Sequence, residues 1–270
     1  MKVFGLIGEK LSHSLSPIIH KSIYEYIGID ATYSLYQVKQ GHLRGAAEGI
    51  KALDLTGVNV TIPYKVDIME FLDSISPESQ KIGAVNTIFN NNGHLVGYNT
   101  DYTGFGRMLK KYNLNMTNKD AVILGSGGAA KSVIAYLEDN GTSSITIVTR
   151  DVSKAGIKGN YKTIDYNQLS LLSDAELLIN CTPVGMHPHV DSSPVGQNIV
   201  SSFRAVVDLV YNPFCTKLMK QAVFQGIPAY NGLYMLVAQA VAAAEIWNGI
   251  DIDETIVDAI YEQLAQSTMK

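Results

Sequence analysis

The stretch "DAVILGSGGAAKSVIAYLEDNGTSSITIVTR", Asp120 to Arg150, limits the possible folds more than any other part of the chain. An apolar run, a glycine turn, a helix-length segment, a second turn and another apolar run succeed one another in about thirty residues, which is the length and order of a βαβ unit. The glycine turn follows its strand directly and opens the helix, the setting in which a glycine pattern becomes informative. Gly125 makes the tight turn, Gly127 lets a pyrophosphate approach the backbone, and Ala130 is the third small position, where helix and strand pack closely. Ser126, Gly128 and Ala129 complete the turn, where the unpaired N–H groups and positive end of the helix attract phosphate.

The end of the second strand bears on which dinucleotide fits. An NAD site places Asp or Glu about twenty residues beyond the glycines to hold the ribose 2′-hydroxyl. Here the stretch is "VTRDVSK", in which Thr149 is followed by Arg150, with Lys154 as a second cation. A bond from Arg150 to a 2′-phosphate is worth roughly 1.5–3 kcal/mol, which favours NADP. Asp151 complicates this reading, because it can accept from a ribose hydroxyl or pair with Arg150.

Upstream, "VFGLIG", "PIIHKSIYEYIG", "TYSLYQV", "LRGAAEGIKALD", "GVNVTI" and "VDIMEFLD" alternate strand-like with helix-like segments, the rhythm of an open α/β sheet. Downstream, "ELLINCT", "AVVDLV" and "IPAYN" read as strands, with "CTKLMKQAVFQG" as a helix between the last two. "GHLVGYNTDYTGFGRMLKKYN" reads as the crossing between two domains, and the segment from "MLVAQAVAAAEIWNG" onward packs back on the first. The fold class is therefore α/β in two domains: an open, mostly parallel sheet and a Rossmann-like dinucleotide-binding domain.

A formal charge of −4, a pI near 5.8 and the lack of a Lys/Arg run argue against nucleic acid or anionic lipid as partners, so any anion site is built locally. Cys181 and Cys215 make neither a disulfide framework nor a metal cluster and read as packing residues of a reducing compartment. The opening "MKVFGLIGEK" meets glycine and charge too early for a secretory signal, and the apolar run from Tyr234 to Trp247 is broken by Gln239. A cytoplasmic protein is expected. Monomer and homodimer both stay open.

Polar residues cluster where apolar surroundings make them conspicuous. In "NVTIPYK", Asn59 to Ile62 reads as a buried strand that Pro63 stops, and Lys65 follows two residues later. "SHSLSP", "GAVNT" and "GYNTD" also hang off strand ends, where open α/β sheets place ligands. Ser16 before Pro17 reads as a helix N-cap. Ser14 and Ser16 also offer hydroxyl donors for a carboxylate at a positive helix end. In an apolar helix the Gln239 amide needs a partner, whether a ligand or a backbone group.

Taken together, "GEKLSHSLSPIIH", "NVTIPYK", "GAVNT", "GYNTD", "GSGGAAKS", "NCTPVGM", "DLVYNP" and "GLYMLVAQA" resemble the shikimate dehydrogenase family nearly end to end. The resemblance implies reversible reduction of 3-dehydroshikimate to shikimate with NADPH, in the pathway to aromatic amino acids. It implies a substrate-binding domain at 1–103, completed by C-terminal helices at 233–270, and an inserted dinucleotide-binding domain at 104–232.

By position, Lys65 and Asp101 resemble the catalytic pair, with the proton assigned more firmly to Lys65 than to its partner. Ser14 and Ser16 take the carboxylate, with Tyr211 near it; Thr61, Asn86, Asp101 and Gln239 pair with hydroxyls; Asn59 holds either the substrate or the lysine loop. Thr182, Leu209 and Gly232 line the nicotinamide pocket, and His13 is structural or orienting. Thr149 and Asp151 stand where many members flank the arginine with Asn and Thr, which leaves NAD tolerance open. A quinate/shikimate dehydrogenase and a ligand sensor on the same scaffold are the alternatives; retention of Lys65 and Asp101 speaks against the sensor.

Overall fold

In the computed structural model, which describes every residue except 158, 160, 172–174 and 269–270 and the side chains of Lys154, Leu171 and Thr268, the chain divides into two units. The first comprises Met1–Phe105 and Leu236–Glu262, and the second comprises Gly106–Met235 and the residues from Gln263.

The first unit runs β1 (Lys2–Gly8), α1 (Ser16–Ile27), β2 (Ala31–Gln37), α2 (Leu43–Ala52), β3 (Gly57–Val60), a 3-10 turn at Asp67–Phe71, β4 (Ser74–Ile75), α3 (Pro77–Ile82), β5 (Thr87–Asn91), β6 (His94–Tyr98) and the start of α4 (Thr100–Lys111). Its sheet has the order β2-β1-β3-β5-β6-β4. β1 pairs in parallel with β2 and β3, and β4 with β6; β5 runs antiparallel to both its neighbours, which sequence patterning did not resolve. In α2 the buried residues Leu43, Ala47 and Ile50 recur at helical spacing and cover Ile7, Val58, Val60, Ile88 and Leu95.

The second unit runs β7 (Asp120–Leu124), α5 (Gly128–Asp139), β8 (Ser144–Val148), β9 (Lys162–Ile164), β10 (Ala175–Asn180), α6 (Gln197–Val200), β11 (Phe203–Asp208), α7 (Lys217–Phe224), β12 (Ala229–Asn231) and the start of α8 (Leu233–Asn248); α9 (Glu254–Thr268) lies in the first unit as far as Glu262. The sheet order is β12-β11-β10-β7-β8-β9, parallel throughout, the doubly wound order of dinucleotide-binding folds. Strands in such a sheet are covered on both faces, so their residues are almost continuously apolar, as in "AVIL", "LLI" and "AVV". Leu218 and Ala222 of α7 pack with Val122, Leu124, Leu178 and Val206 on one face. The strand order reverses between β7 and β10, and ligands bind at that switch point in open α/β sheets.

Residues of α8 from Leu236 onward belong to the first unit. Trp247 stacks on Phe4 at 4.8 Å, donates its indole N–H to Ile88 O at 2.9 Å, and lies against Gly57 so closely that a Cβ there would collide with the indole. Among the described residues no helix is long and apolar enough to cross a membrane.

Two local expectations change. β3 ends at Val60 rather than Ile62, and Ile62 is 71% exposed. The antiparallel ladder with β5 runs only from Gly57 to Asn59 and the parallel ladder with β1 ends at Val60, so regular pairing stops before Ile62. Ser16 is the first residue of α1, not its cap; Leu15 holds the cap position without a side-chain bond, and Ser16 N donates to Ser14 Oγ at 3.2 Å.

Candidate active site

Lys65 ends a short path of backbone constraints. Thr61 N donates to Ile7 O at 2.9 Å, Tyr64 N to Thr61 O at 2.9 Å, and Val85 N to Lys65 O at 2.7 Å. The Tyr64 hydroxyl donates to Val38 O at 2.7 Å, so the turn after β3 is tied to neighbouring strands on both sides. Asp101 lies in the first turn of α4, where the unpaired N–H groups and helix dipole favour a carboxylate. Lys65 Nζ donates to Asp101 Oδ2 at 2.5 Å, with side-chain exposures of 15% and 8%. An ion pair that far from water is screened far less than a surface one.

The Asn86 amide holds the other oxygen of that carboxylate. Its Nδ2 donates to Asp101 Oδ1 at 2.9 Å, while Oδ1 accepts from Thr100 N at 2.7 Å and from the Thr87 hydroxyl at 3.0 Å. A backbone N–H can only donate, which fixes which end of the amide faces Asp101. Gln239 finds both kinds of partner: its Nε2 donates to Leu236 O at 2.8 Å, and Oε1 accepts from Asn86 Nδ2 and Thr100 Oγ1 at 3.5 Å. Asn59 has all four amide positions taken within the protein. Oδ1 accepts from the Tyr33 hydroxyl at 2.8 Å and lies 3.2 Å from His20 Nε2; Nδ2 donates to Asn86 O at 3.3 Å and Thr87 Oγ1 at 3.0 Å. These partners lie on α1, β2 and the start of β5, not in the turn that carries Lys65.

At the start of α1, the Ser14 hydroxyl donates to Ser16 Oγ at 3.1 Å. His20 is fully buried and stacks on Tyr33 at 4.1 Å; burial pushes its imidazole down to about 3, so it is neutral. Lys65, Asp101, Asn59, Asn86 and Gln239 thus join one hydrogen-bonded constellation in the first unit, while Ser14 and Ser16 bond each other at the head of α1. Thr61 stands four residues before Lys65 and half-buried, and His13 is exposed.

Tyr33, His20, Thr87 and Thr100 were not singled out from sequence. Thr87 and Thr100 carried a signal, because they lie inside the polar stretches "GAVNT" and "GYNTD". Tyr33 and His20 gave none, since their partner Asn59 is 26 and 39 residues away.

The glycine turn in the second unit fits a dinucleotide on local grounds. Gly125 has φ +103°, and a Cβ there would sit 3.0 Å from Thr182 Cγ2 across the switch point. At Gly127 a Cβ would meet nothing within 4 Å, so the backbone faces open space at the start of α5, where phosphate binds. Ala130 is fully buried, as close packing of helix on strand requires. Ser126, Gly128 and Ala129 stand between these points at the head of the helix.

Beyond β8, Thr149 N donates to Ile164 O at 3.0 Å and Arg150 is exposed. Asp151 Oδ1 accepts from Ser153 N at 3.1 Å and from the Ser153 hydroxyl at 2.6 Å, which caps a short 3-10 turn. The side chain of Lys154 lies outside the described residues.

At the ends of β10 and β11, Thr182 N and Oγ1 donate to Asn180 Oδ1 at 3.0 and 2.7 Å, and Leu209 N donates to Asn180 O at 3.0 Å. Asn180 Nδ2 in turn donates to the buried Asp208, whose carboxyl burial pushes up to about 6. A Cβ on Gly232 would fall on the Leu209 carbonyl, so only glycine allows these two segments to approach. Burial raises the Tyr211 phenol above its usual range. Cys181 is half-buried and Cys215 exposed; neither forms a disulfide, and the described residues hold no group of metal-ligating side chains.

Residues 6–88 match the shikimate dehydrogenase substrate binding domain, and residues 232–264 match the shikimate 5'-dehydrogenase C-terminal domain. A Clostridium perfringens protein named shikimate dehydrogenase (NADP(+)) is 46% identical over 267 residues, 98% of each chain. A chorismate mutase/shikimate 5-dehydrogenase fusion protein from Clostridium acetobutylicum superposes with a TM-score of 0.96 at 47% identity, over 100% of this chain and 99% of that one. A Thermus thermophilus shikimate 5-dehydrogenase solved with NADP(H) and shikimate has a TM-score of 0.86 at 30% identity, over 97% and 99% of the two chains.

Proposed function

Because the chain belongs to the shikimate dehydrogenase family, we propose that Lys65 and Asp101 carry the proton in its reaction and that the glycine turn of β7 and α5 holds the cofactor. The chain is an NADP-dependent oxidoreductase that reversibly reduces 3-dehydroshikimate to shikimate in the shikimate pathway. When bound, NADPH supplies a hydride to the ketone carbon, which breaks the C=O π bond and leaves negative charge on the oxygen.

The observation that carries the residue assignment is the Lys65–Asp101 pair. Lys65 Nζ holds a proton beside the position of that oxygen and gives it up as charge develops; in the reverse direction the amine takes it back. Asp101 keeps the ammonium oriented and offers its remaining lone pairs to the neighbouring ring hydroxyl. Ser14 and Ser16 hold the substrate carboxylate, while Thr61, Asn86 and Gln239 hold hydroxyls.

Arg150 takes the 2′-phosphate, and the backbone of Leu209 and Gly232 with Thr182 receives the nicotinamide. The substrate domain is assigned to residues 1–103 with the C-terminal helices at 233–270, and the dinucleotide domain to residues 104–232. A spectrophotometric assay crossing shikimate and quinate with NADP and NAD tests this reading. Fast turnover is expected for shikimate with NADP alone; equal use of both cofactors together with quinate turnover would place the chain with the quinate/shikimate enzymes.

A further inference from the structure

We propose that Thr87, Asn59 and Tyr33, backed by His20, are positioning residues: a buried relay that, together with the Thr100 N–H, holds the Asn86 amide and through it aims the Asp101 carboxylate at Lys65. The proposal rests on Lys65 and Asp101 being the proton-transfer pair and adds the residues that stand behind it.

The donor directions at the outer end of this relay follow from chemistry. The single Tyr33 proton goes to Asn59 Oδ1, an acceptor only, at 2.8 Å. Neutral His20 fills the second lone pair of that oxygen from Nε2 at 3.2 Å, which leaves its Nδ1 buried without a partner. With both lone pairs taken, the Asn59 amide points Nδ2 at Thr87 Oγ1, 3.0 Å away.

Thr87 accepts there; its hydroxyl donates to Asn86 Oδ1 at 3.0 Å and also neighbours Thr100 Oγ1 at 3.1 Å, and Asn86 Nδ2 meets Asp101 Oδ1 at 2.9 Å. Every bond from Tyr33 to Asp101 therefore donates in the same direction, and such chains polarise one another. The antiparallel register of β3 and β5 makes it possible by placing Asn59 opposite Thr87.

Thr87 is fully buried, and its hydroxyl is engaged by Asn59, Asn86 and Thr100. The test compares Thr87→Val, Thr87→Ser and Tyr33→Phe in the intact enzyme, with active sites counted by NADPH fluorescence titration. Thr87→Val leaves one Asn59 N–H unmatched and removes one of the donors that orient Asn86, so kcat is expected to fall about five- to a hundredfold. The KM for 3-dehydroshikimate should stay within about threefold, and Thr87→Ser should restore kcat to within about twofold.

Tyr33→Phe, which keeps the stacked ring, should lower kcat by about threefold or more and provides the reading if Thr87→Val does not fold. Unchanged kcat per folded enzyme in Tyr33→Phe and in whichever Thr87 variant folds would overturn the relay, as would a rise in KM alone. If Lys65→Ala is inactive while these variants behave as wild type, the relay fails and the catalytic pair stands; if Lys65→Ala turns over normally, the pair itself fails.

Discussion

Asp101 receives Lys65 Nζ on one carboxylate oxygen at 2.5 Å and Asn86 Nδ2 on the other at 2.9 Å. Its two oxygens are thus divided between a cation and an oriented amide. Asp101→Asn keeps the shape but puts an N–H₂ group where one of those donors must be accepted. Turnover should fall about 10²-fold or more, with a rise in the KM for shikimate, because the residue both orients the ammonium and holds a ring hydroxyl. Steady-state kinetics on the folded variant check this; a change in KM alone would reduce Asp101 to a binding residue.

Arg150 is exposed just beyond β8, and Asp151 beside it is engaged by Ser153. Removing the guanidinium with Arg150→Ala should weaken NADP about ten- to a hundredfold and leave NAD use nearly unchanged. The ratio of kcat/KM for the two cofactors measures this directly. An equal loss with both would move the 2′-phosphate contact elsewhere.

Gly232 is required by its neighbour rather than by its own dihedral angles. In Gly232→Ala the new Cβ would occupy the place of the Leu209 carbonyl, so backbone must shift. A loss of more than about 2 kcal/mol of stability is expected, read as a fall of several degrees in Tm. NADP binding should weaken with it. An unchanged Tm would show that the two segments separate without cost.

His20 is neutral at every physiological pH, with a folded value of about 3 against 6.5 for the free side chain. The unfolded chain therefore binds more protons at this residue between those two values. Its contribution to stability is complete above pH 6.5 and is lost as pH falls towards 3, at up to about 1.4 kcal/mol per pH unit. Asp208 works the other way: with a folded value near 6 and a free value of 3.8, it contributes most below pH 3.8 and less as pH rises through 6. The two slopes oppose each other between pH 4 and 6, so the informative comparison is wild type against His20→Gln. The His20 ring resonances should stay flat from pH 8 to 5; a midpoint near 6.5 would contradict its burial.

The β7–α5–β8 unit and its glycine turn were legible because every feature that makes them is local: an apolar run, a turn that needs Gly125, and a helix that opens on small residues. Lys65 and Asp101 were legible only as members of a set of motifs, since no sequence rule brings residues 36 apart to 2.5 Å. The end of β3 was misplaced for the same reason. "VTI" has strand propensity throughout, but a strand persists only beside a partner, and the pairing with β5 stops at Asn59 and that with β1 at Val60. Ser16 was misread because serine before proline suits a cap, whereas the chain enters α1 one residue earlier and uses Ser14 to accept its N–H. Tyr33 and His20 read as ordinary aromatic positions of β2 and α1, and only the register of β1, β2 and β3 shows what they support.

The central claim concerns the ammonium of Lys65, and the most direct test is the rate of NADPH oxidation by Lys65→Ala with 3-dehydroshikimate. Loss of a positioned proton donor predicts turnover lower by about 10²–10⁴-fold, with the KM for substrate changed only severalfold and NADPH binding intact. Turnover near the wild-type rate would contradict the account.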